Sequence, residues 1–418
     1  MRILHLMMHE NTGSGRAATR LNMGLVQLGQ ESSILTGQKR SNSDLAIGTK
    51  FITSTLKEIQ FILVNKFLNQ KLSSPANVFS INITPSRLLK QIKTLNPDII
   101  NLHWIGWEFL KIEDLKKLQV PLVWTFHDMW AFTGGCHYSA NCDRYTKSCG
   151  ACPQLQSIDE QDLSHWIWKR KAKAWQDLNI TVVSPSHWLA ECAKRSSLFQ
   201  NMRIEVIPNG LDTQIYKPLN REIARDRLNL PQNKSLVLFG AMHANGDPRK
   251  GLHFLQPALQ KLSTTDWQDQ MELIIFGASK PINAPDFGFK THYLGNLTDD
   301  ITLSLIYAAG DVFVAPSMQD NLPNTVMEAL ASGTPTVAFN IGGMPDLINH
   351  QQTGYLAKPY EVDDLTRGIC WVLEDLKRYR SLSQQARETV VQNFTLQQQA
   401  ICYLSLYKKI LADSGRGN

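Results

Sequence analysis

The chain has 418 residues, and 43 basic against 37 acidic side chains give it a net charge of +6. At roughly 100–200 residues per domain, this length predicts two or three domains. The mild positive charge is compatible with anionic substrates or an anionic membrane surface, but the sequence has no lysine- and arginine-rich block, so nucleic acid is not an expected partner.

Strand and helix patterns alternate from the amino terminus. The apolar run MRILHL predicts a strand, NTGSGR a turn, AATRLNMGLVQLG an amphipathic helix and SSILTG a second strand. Further strands are expected at PDIINLHW, VPLVWTFHD, ITVVSPS and RIEVIPNGLD, and helices at SRLLKQIKTL, KIEDLKKL and HWLAECAKR. This order is typical of a doubly wound α/β domain.

A second α/β series starts at SLVLFGAM. It continues through the helices GLHFLQPALQKL, ITLSLIYAAG and NTVMEALASG and the strands MELIIFG, HYLGNL, DVFVAPS and TPTVAF. We therefore predict two doubly wound, Rossmann-like domains, 1–205 and 206–390, that face each other across a ligand cleft. The helix pattern LQQQAICYLSLYKKIL lies in a third segment, 391–418, which we expect to pack back on the first domain.

Residues 45–80 fit this alternation poorly. The segment LKEIQFILVNKFLNQKL predicts an amphipathic helix that carries Lys57, Lys66 and Lys71. Ordinary packing and contact with a membrane surface are both compatible with this basic helix. Since the sequence has no signal-peptide cleavage site and no run of ~18 apolar residues, we expect a cytoplasmic protein, with peripheral contact at the inner face of the membrane as an option.

Two candidate sites follow predicted strands of the first domain. In MHENTGSGR, Gly13 and Gly15 would let backbone N–H groups approach an anion at a helix start, although a plain tight turn explains them equally well. The motif is not a full dinucleotide fingerprint, because Ala18 stands where a third glycine belongs. In VWTFHDMW, a hydrophobic strand ends at the polar pair His127 and Asp128, and a helix N-cap is the alternative role for Asp128.

The second domain has a basic loop before a helix, in GAMHANGDPRKGLHFL. Its adjacent cations, Arg249 and Lys250, would neutralise part of the charge of a diphosphate bound at the helix start. A solvated basic loop is the alternative interpretation.

The segment VAPSMQDNLPNTVMEALA holds two acidic residues, Asp320 and Glu328, separated by seven residues. Carboxylates can accept hydrogen bonds from vicinal sugar hydroxyls, and the predicted helix begins near Asn324 and Thr325, whose backbone N–H groups could hold phosphate. One segment thus offers groups for both the sugar and the phosphate parts of a nucleotide sugar. Two unrelated surface acids are the alternative.

Four of the seven cysteines lie in the loop 134–155, at Cys136, Cys142, Cys149 and Cys152. The final C-x-x-C is a common zinc half-site, whereas the first pair is widely spaced. A structural zinc ion, disulfides and free thiols all remain open. Because His127 comes only nine residues before the first of these cysteines, we expect the cluster to brace a substrate-facing loop.

Together these residues resemble the GT-B glycosyltransferases, in particular the retaining family 4, over nearly the whole chain. Two acidic residues separated by seven others, followed by MEALASGTPTVAF, GGMPD and GYL, are specific to that family. The first acid of the family is usually Glu, so Asp320 departs from the pattern. HDMW…TGGCHY…CGACP resembles a subgroup associated with cell-surface polysaccharide synthesis.

The resemblance implies a role for each candidate residue. The nucleotide-sugar donor would be bound by Gly13, Gly15, Arg249, Lys250, Asn324, Thr325 and Glu328, with Glu328 on the ribose hydroxyls. The residues nearest the chemistry would be His127 and Asp320, beside the donor sugar, and Arg249 and Lys250, beside the diphosphate. The family's arginine normally stands where this chain has Ala241, so Arg249 is expected to substitute for it.

The implied reaction moves a sugar from a UDP- or GDP-sugar to a saccharide or lipid-linked saccharide, with retention at the anomeric carbon. No cofactor is expected for catalysis, because the leaving phosphate can take the acceptor's proton and the sequence has no Asp-x-Asp at a strand end. Two alternatives stay open: a non-hydrolysing epimerase that uses the same fold, and a binding module stabilised by metal at the cysteine cluster.

Overall fold

The structure is a computed structural model that describes residues 1–39, 46–48, 62–64, 66, 68, 70–74, 76–85, 88–240, 246–297 and 299–415. The chain divides into two compact units, Met1–Asn209 with Leu396–Asn418, and Gly210–Thr395. Within the described residues, no helix is long and apolar enough to cross a membrane.

The described residues of the first unit form a seven-stranded parallel sheet in the order β3-β2-β1-β4-β5-β6-β7. The strands are β1 (Arg2–His9), β2 (Glu31–Gln38), β3 (Ala46–Gly48), β4 (Ile99–Leu102), β5 (Leu122–Thr125), β6 (Ile180–Ser184) and β7 (Arg203–Val206). Strands β4, β5 and β6 are buried along their whole length, because helices cover both faces of a parallel sheet.

The helices of this unit include the last one in the chain. Those with described bounds are α1 (Gly13–Gln27), α2 (Leu88–Leu95), α3 (Leu163–Trp175), α4 (His187–Arg195) and α12 (Leu396–Asp413). Helix α12 packs against α1, and its Tyr403 and Tyr407 are buried beside the sheet. The hydroxyl of Tyr407 accepts a hydrogen bond from the side chain of Asn101 at 2.8 Å.

The second unit has a six-stranded parallel sheet in the order β10-β9-β8-β11-β12-β13 among its described residues. The strands are β8 (Ser235–Gly240), β9 (Met271–Phe276), β10 (Thr291–Tyr293), β11 (Val312–Ala315), β12 (Thr336–Phe339) and β13 (Gly354–Ala357). The helices are α5 (Arg221–Arg227), α6 (Leu252–Leu262), α7 (Asp300–Ala309), α8 (Asn324–Ala331), α9 (Met344–Leu347), α10 (Val362–Leu373) and α11 (Leu376–Asn393). The prediction of two successive doubly wound α/β series is confirmed.

Several segments differ from the sequence-based expectations, which did not include helices α5 and α11 or strands β3 and β13. KIEDLKKL forms a 3₁₀ helix, Ile112–Lys117, and not an α-helix. Short helical connections are often 3₁₀, and the N-cap residue of this one provides no side-chain hydrogen bond. Helix α3 was not predicted, because the core-facing series Ile167, Lys171 and Ala174 places a lysine where an apolar residue is expected.

The predicted amphipathic helix in residues 45–80 lies largely outside the described residues, as does Lys57. Of the part that the structure describes, Leu68 and Leu72 belong to the core of the first unit, and Ile62 and Leu63 are exposed. Membrane contact through this helix stays a prediction.

Candidate functional site

The basic loop of the second unit is held in place by hydrogen bonds and by close packing of its backbone. It forms a short 3₁₀ turn after β8, in which the Asp247 carboxylate accepts the Arg249 N–H at 3.0 Å. The turn ends at Gly251, whose φ of +78° is left-handed and where a Cβ would lie 1.8 Å from the Pro316 carbonyl oxygen. The Met318 N–H also donates to the Arg249 carbonyl at 2.8 Å. The loop is therefore held directly against the segment that follows β11.

This contact brings together Lys250 and Asp320, which are 70 residues apart in the chain. The Lys250 Nζ lies 2.6 Å from the Asp320 Oδ2, and an Arg249 guanidinium nitrogen lies 3.6 Å from the same oxygen. Burial would raise the pKa of the Asp320 carboxyl, but the two neighbouring cations outweigh burial and lower it. Asp320 is therefore an ionised, nearly buried carboxylate at neutral pH.

The charges around Lys250 nearly cancel before any ligand is present. Arg249 pairs with Asp247 at 2.9 Å and donates to the Gln319 carbonyl at 2.8 Å. Lys250 pairs with Asp320. A bound diphosphate would therefore have to share Lys250 with Asp320, and the start of helix α8 would supply further positive potential.

Helix α8 carries Glu328 in its second turn and begins after Pro323, which offers no side-chain cap to the helix. The Glu328 side chain is 2% exposed and accepts the Tyr307 O–H from α7 at 3.0 Å. The turn after β12 lies against the loop that carries Asp320, since a Cβ on Gly342 would be 2.1 Å from the Asp320 carbonyl oxygen. Because β8, β11 and β12 are neighbouring parallel strands, all these loops meet at one edge of the sheet.

In the first unit, the predicted glycine turn forms the start of α1. The Thr12 hydroxyl caps the helix by accepting the Gly15 N–H at 3.1 Å. A Cβ on Gly15 would lie 2.1 Å from the His9 carbonyl oxygen, so the close approach that requires glycine here is to the chain's own backbone. Gly13 is exposed at the helix start. The tight-turn interpretation thus accounts for Gly15, and a role in binding diphosphate stays a prediction.

His127 lies at the end of a row of three histidines, of which His5 and His103 are buried and His127 is half-buried. Its Nε2 is 3.0 Å from the Nδ1 of His103, and the Nε2 of His103 is 2.9 Å from the Nδ1 of His5. Burial lowers the pKa of His5 to about 3 and that of His127 to about 4, and it lowers the pKa of His103 well below the ordinary value. All three rings are therefore neutral at physiological pH.

Asp128 connects the end of β5 to the cysteine-rich loop. Its Oδ2 accepts hydrogen bonds from the Trp104 indole at 2.6 Å and from the His137 Nδ1 at 2.7 Å. Its Oδ1 accepts the Trp130 N–H at 2.9 Å, but the N-cap position of the 3₁₀ helix Trp130–Phe132 is Met129, so Asp128 is not its N-cap. The Nε2 of His137 then meets the Ser80 hydroxyl at 2.8 Å. The loop that follows His127 is thus held by a continuous polar network.

Comparison with known proteins identifies the family. Residues 12–215 match the model of "Glycosyltransferase Family 4", and residues 233–375 match "Glycosyl transferases group 1". The chain belongs to this glycosyltransferase family. The predicted family membership is therefore confirmed.

Among curated relatives, this family 4 glycosyltransferase is similar to the sulfoquinovosyl transferase SQD2 of Arabidopsis thaliana, with 27% identity over 74% of the chain. It is also similar to WcaC of Escherichia coli K12, a putative colanic acid biosynthesis glycosyl transferase, with 26% identity over 59% of the chain. These matches cover 56% and 60% of the relatives' own lengths.

Among solved structures, HepE of Anabaena in complex with UDP and glucose is similar in fold. The TM-score is 0.65 at 16% identity, over 97% of this chain and 99% of HepE. The predicted GT-B fold class is confirmed by this likeness.

The four cysteines of the family 4 chain surround one small cavity. The cavity has a volume of about 20 Å³, and Cys136, Cys142, Cys149 and Cys152 all line it. All four are free thiols, and burial raises the pKa of Cys149 to about 12. Within the described residues, no three Cys, His, Asp or Glu side chains are arranged as ligands of one ion. Zinc binding would require the thiols to lose their protons and move closer together.

Sequence reasoning missed Lys171, which lies fully buried beside this cluster. Its ammonium donates to the carbonyls of Trp130 and Thr133 and lies 3.8 Å from the centre of the Trp130 ring. Burial lowers its pKa to about 7, whereas the nearby Cys149 and Cys136 sulfurs act in the opposite direction. A cation in this position would offset part of the negative charge of zinc-bound thiolates.

For the cysteine cluster we propose a structural zinc ion, and we expect about one zinc per chain in purified protein, because four cysteines are a usual ligand set. Elemental analysis measures the zinc content directly. Cys149→Ser should remove most of the zinc and lower the thermal unfolding midpoint. Cys402→Ser, which changes an exposed cysteine on α12, should alter neither quantity. Purified protein with intact free thiols and no zinc would contradict this proposal.

Proposed function

We propose that the protein transfers a sugar from a nucleotide-diphosphate sugar to a saccharide or lipid-linked saccharide, with retention at the anomeric carbon. The observation that carries this proposal is the edge of the second unit's sheet. There the Lys250–Asp320 ion pair lies in front of helix α8, and Glu328 is buried in the second turn of that helix. The arrangement places a cation, a helix start and two carboxylates along one edge.

These groups suit the separate parts of a nucleotide sugar. The Lys250 ammonium and the first N–H groups of α8, at Asn324 and Thr325, would stabilise the negative charge that develops on the leaving diphosphate. The Asp320 carboxylate would accept hydrogen bonds from donor-sugar hydroxyls, and Glu328 would accept them from ribose. Arg249 would add positive charge beside Lys250. The leaving phosphate can take the acceptor's proton, so no protein base is required.

The relatives support this choice of substrate class. The similar HepE structure contains UDP and glucose, which favours a nucleotide-sugar donor. WcaC is named for colanic acid biosynthesis, which agrees with the proposed role in cell-surface polysaccharide synthesis. Retention follows from the resemblance to the retaining family. A cytoplasmic location at the inner membrane face remains part of the proposal.

The experiment is a binding and turnover screen with UDP- and GDP-sugars, which detects release of nucleoside diphosphate with and without saccharide acceptors. We expect at least one donor to bind and to be used. Glu328→Gln should raise the donor Kd about 10–100-fold, because hydrogen bonds to a charged group contribute about 1.5–3 kcal/mol. Glu388→Gln, on the exposed face of α11, is the matched control and should leave the donor Kd unchanged.

Two outcomes would contradict the proposal. If none of the donors binds, the protein does not use these nucleotide sugars. If the free nucleotide sugar is converted to its epimer without an acceptor, the epimerase alternative is favoured.

A further inference from the structure

The histidine row runs across three neighbouring strands. His5 lies within β1, His103 directly follows β4, and His127 follows β5 by two residues. Strands β1, β4 and β5 are adjacent in the sheet, so the three rings form one line of hydrogen bonds towards its carboxyl edge. His5 and His103 are buried, and His127 is half-buried at the end of the row.

A line of neutral imidazoles can be protonated in only two ways. Each neutral ring has one N–H donor and one acceptor nitrogen, and His103 uses both of its nitrogens inside the row. Either every N–H points from His5 towards His127, or every N–H points the other way. If His103 donated both hydrogen bonds it would be a cation, and if it accepted both it would be an anion. Its burial opposes either charge.

The His5 end of the row distinguishes the two possible directions of the N–H groups. The Nε2 of His5 is buried and has no hydrogen-bond partner among the described residues. If the N–H groups pointed towards His5, this Nε2 would be a buried N–H donor without an acceptor. If they point towards His127, it is a buried lone pair. Orphaned N–H groups are the rarer of the two in folded proteins, so the direction towards His127 is favoured.

We propose that His5 and His103 are positioning residues that fix His127 as its Nδ1–H tautomer, so that His127 donates a hydrogen bond to an oxygen of the bound sugar. The Nε2 lone pair of His127 is already used by His103, and its Nδ1 already has a proton. His127 therefore selects an acceptor atom, such as a hydroxyl oxygen, and does not act as a general base. The role at the sugar rests on the proposed function, whereas the tautomer does not.

The tautomer can be measured without any substrate. Protein labelled with ¹⁵N-histidine gives long-range ¹H–¹⁵N correlations that separate protonated from unprotonated ring nitrogens, and His127→Asn assigns the signal. We expect a protonated Nδ1 and an unprotonated Nε2 at His127. A protonated Nε2 at His127 would overturn the proposal, because the row would then run the other way.

Substitutions at His5 test the positioning role. His5→Leu removes the donor at the start of the row, and we expect His127 to lose its single tautomer and kcat/KM to fall about tenfold, the loss of one hydrogen bond. His5→Asn keeps an N–H near the position of Nδ1, so it should retain the tautomer and recover kcat/KM to within about threefold. His350→Asn, which changes an exposed histidine in the other unit, is the control and should change neither quantity.

The outcomes separate the two proposals. A single Nδ1–H tautomer in a protein that uses no nucleotide sugar would contradict the proposed function alone. If His5→Leu does not fold, the native protein and His5→Asn still decide the tautomer. His5 would contribute only packing if His5→Leu and His5→Asn lost the same kcat/KM and both kept the His127 tautomer.

Discussion

Lys250→Met is expected to lower kcat/KM for the nucleotide-sugar donor by about 10²–10³-fold, the usual effect of removing one group that stabilises developing negative charge. The substitution also leaves the nearly buried Asp320 with a single, more distant cation, Arg249, at 3.6 Å. The carboxylate would then repel the diphosphate. Steady-state kinetics of diphosphate release measure the effect, and circular dichroism checks that the variant is folded.

Two further variants make this prediction specific. Lys261→Met removes an exposed lysine of α6 that pairs with Asp363, and it should keep kcat/KM within about twofold of the native value, because surface ion pairs contribute little. A double-mutant cycle with Asp320→Asn tests the repulsion, because Lys250→Met should weaken donor binding less in the Asp320→Asn background than in the native protein. A folded Lys250→Met variant with native kcat/KM would remove Lys250 from the proposed mechanism.

Gly251→Ala is expected to lower the free energy of unfolding more than Gly295→Ala, which adds a methyl group at another left-handed glycine of the second unit. An alanine with φ near +78° costs about 1–2 kcal/mol, and the Cβ would overlap the Pro316 carbonyl oxygen. Relieving that overlap by moving backbone adds about 1–3 kcal/mol, so the free energy of unfolding should fall by about 2–5 kcal/mol. Denaturant unfolding measures this change.

The same substitution should reduce donor turnover about tenfold or more, because the displaced residue directly follows Lys250 and small shifts of a catalytic group are costly. Gly295→Ala is the matched control: its φ is +73°, but within the described part of the chain no atom beyond its two neighbours lies within 4 Å of the added Cβ. It should lose only the conformational 1–2 kcal/mol and keep native kcat/KM. If both variants behave alike, the contact with Pro316 does not position Lys250.

Much of the candidate site could be predicted from sequence because its signals are local. The spacing of Asp320 and Glu328 around the start of one helix needs only the helix pattern, and the basic loop needs only its Pro and Gly boundaries. The clustering of the four cysteines within one short loop is local as well. By contrast, helix α3 was missed because a fully buried lysine interrupts its apolar face.

The sequence by itself determined the alternation of strands and helices, the family resemblance and the positions of most candidate residues, because hydrophobic periodicity and turn chemistry act over a few residues. Only the tertiary structure decided which of those residues meet. His5 and His103 are 98 residues apart, and Lys250 and Asp320 are 70 apart. They come together because crossover connections place β1 beside β4 and β8 beside β11, an order that no local pattern encodes.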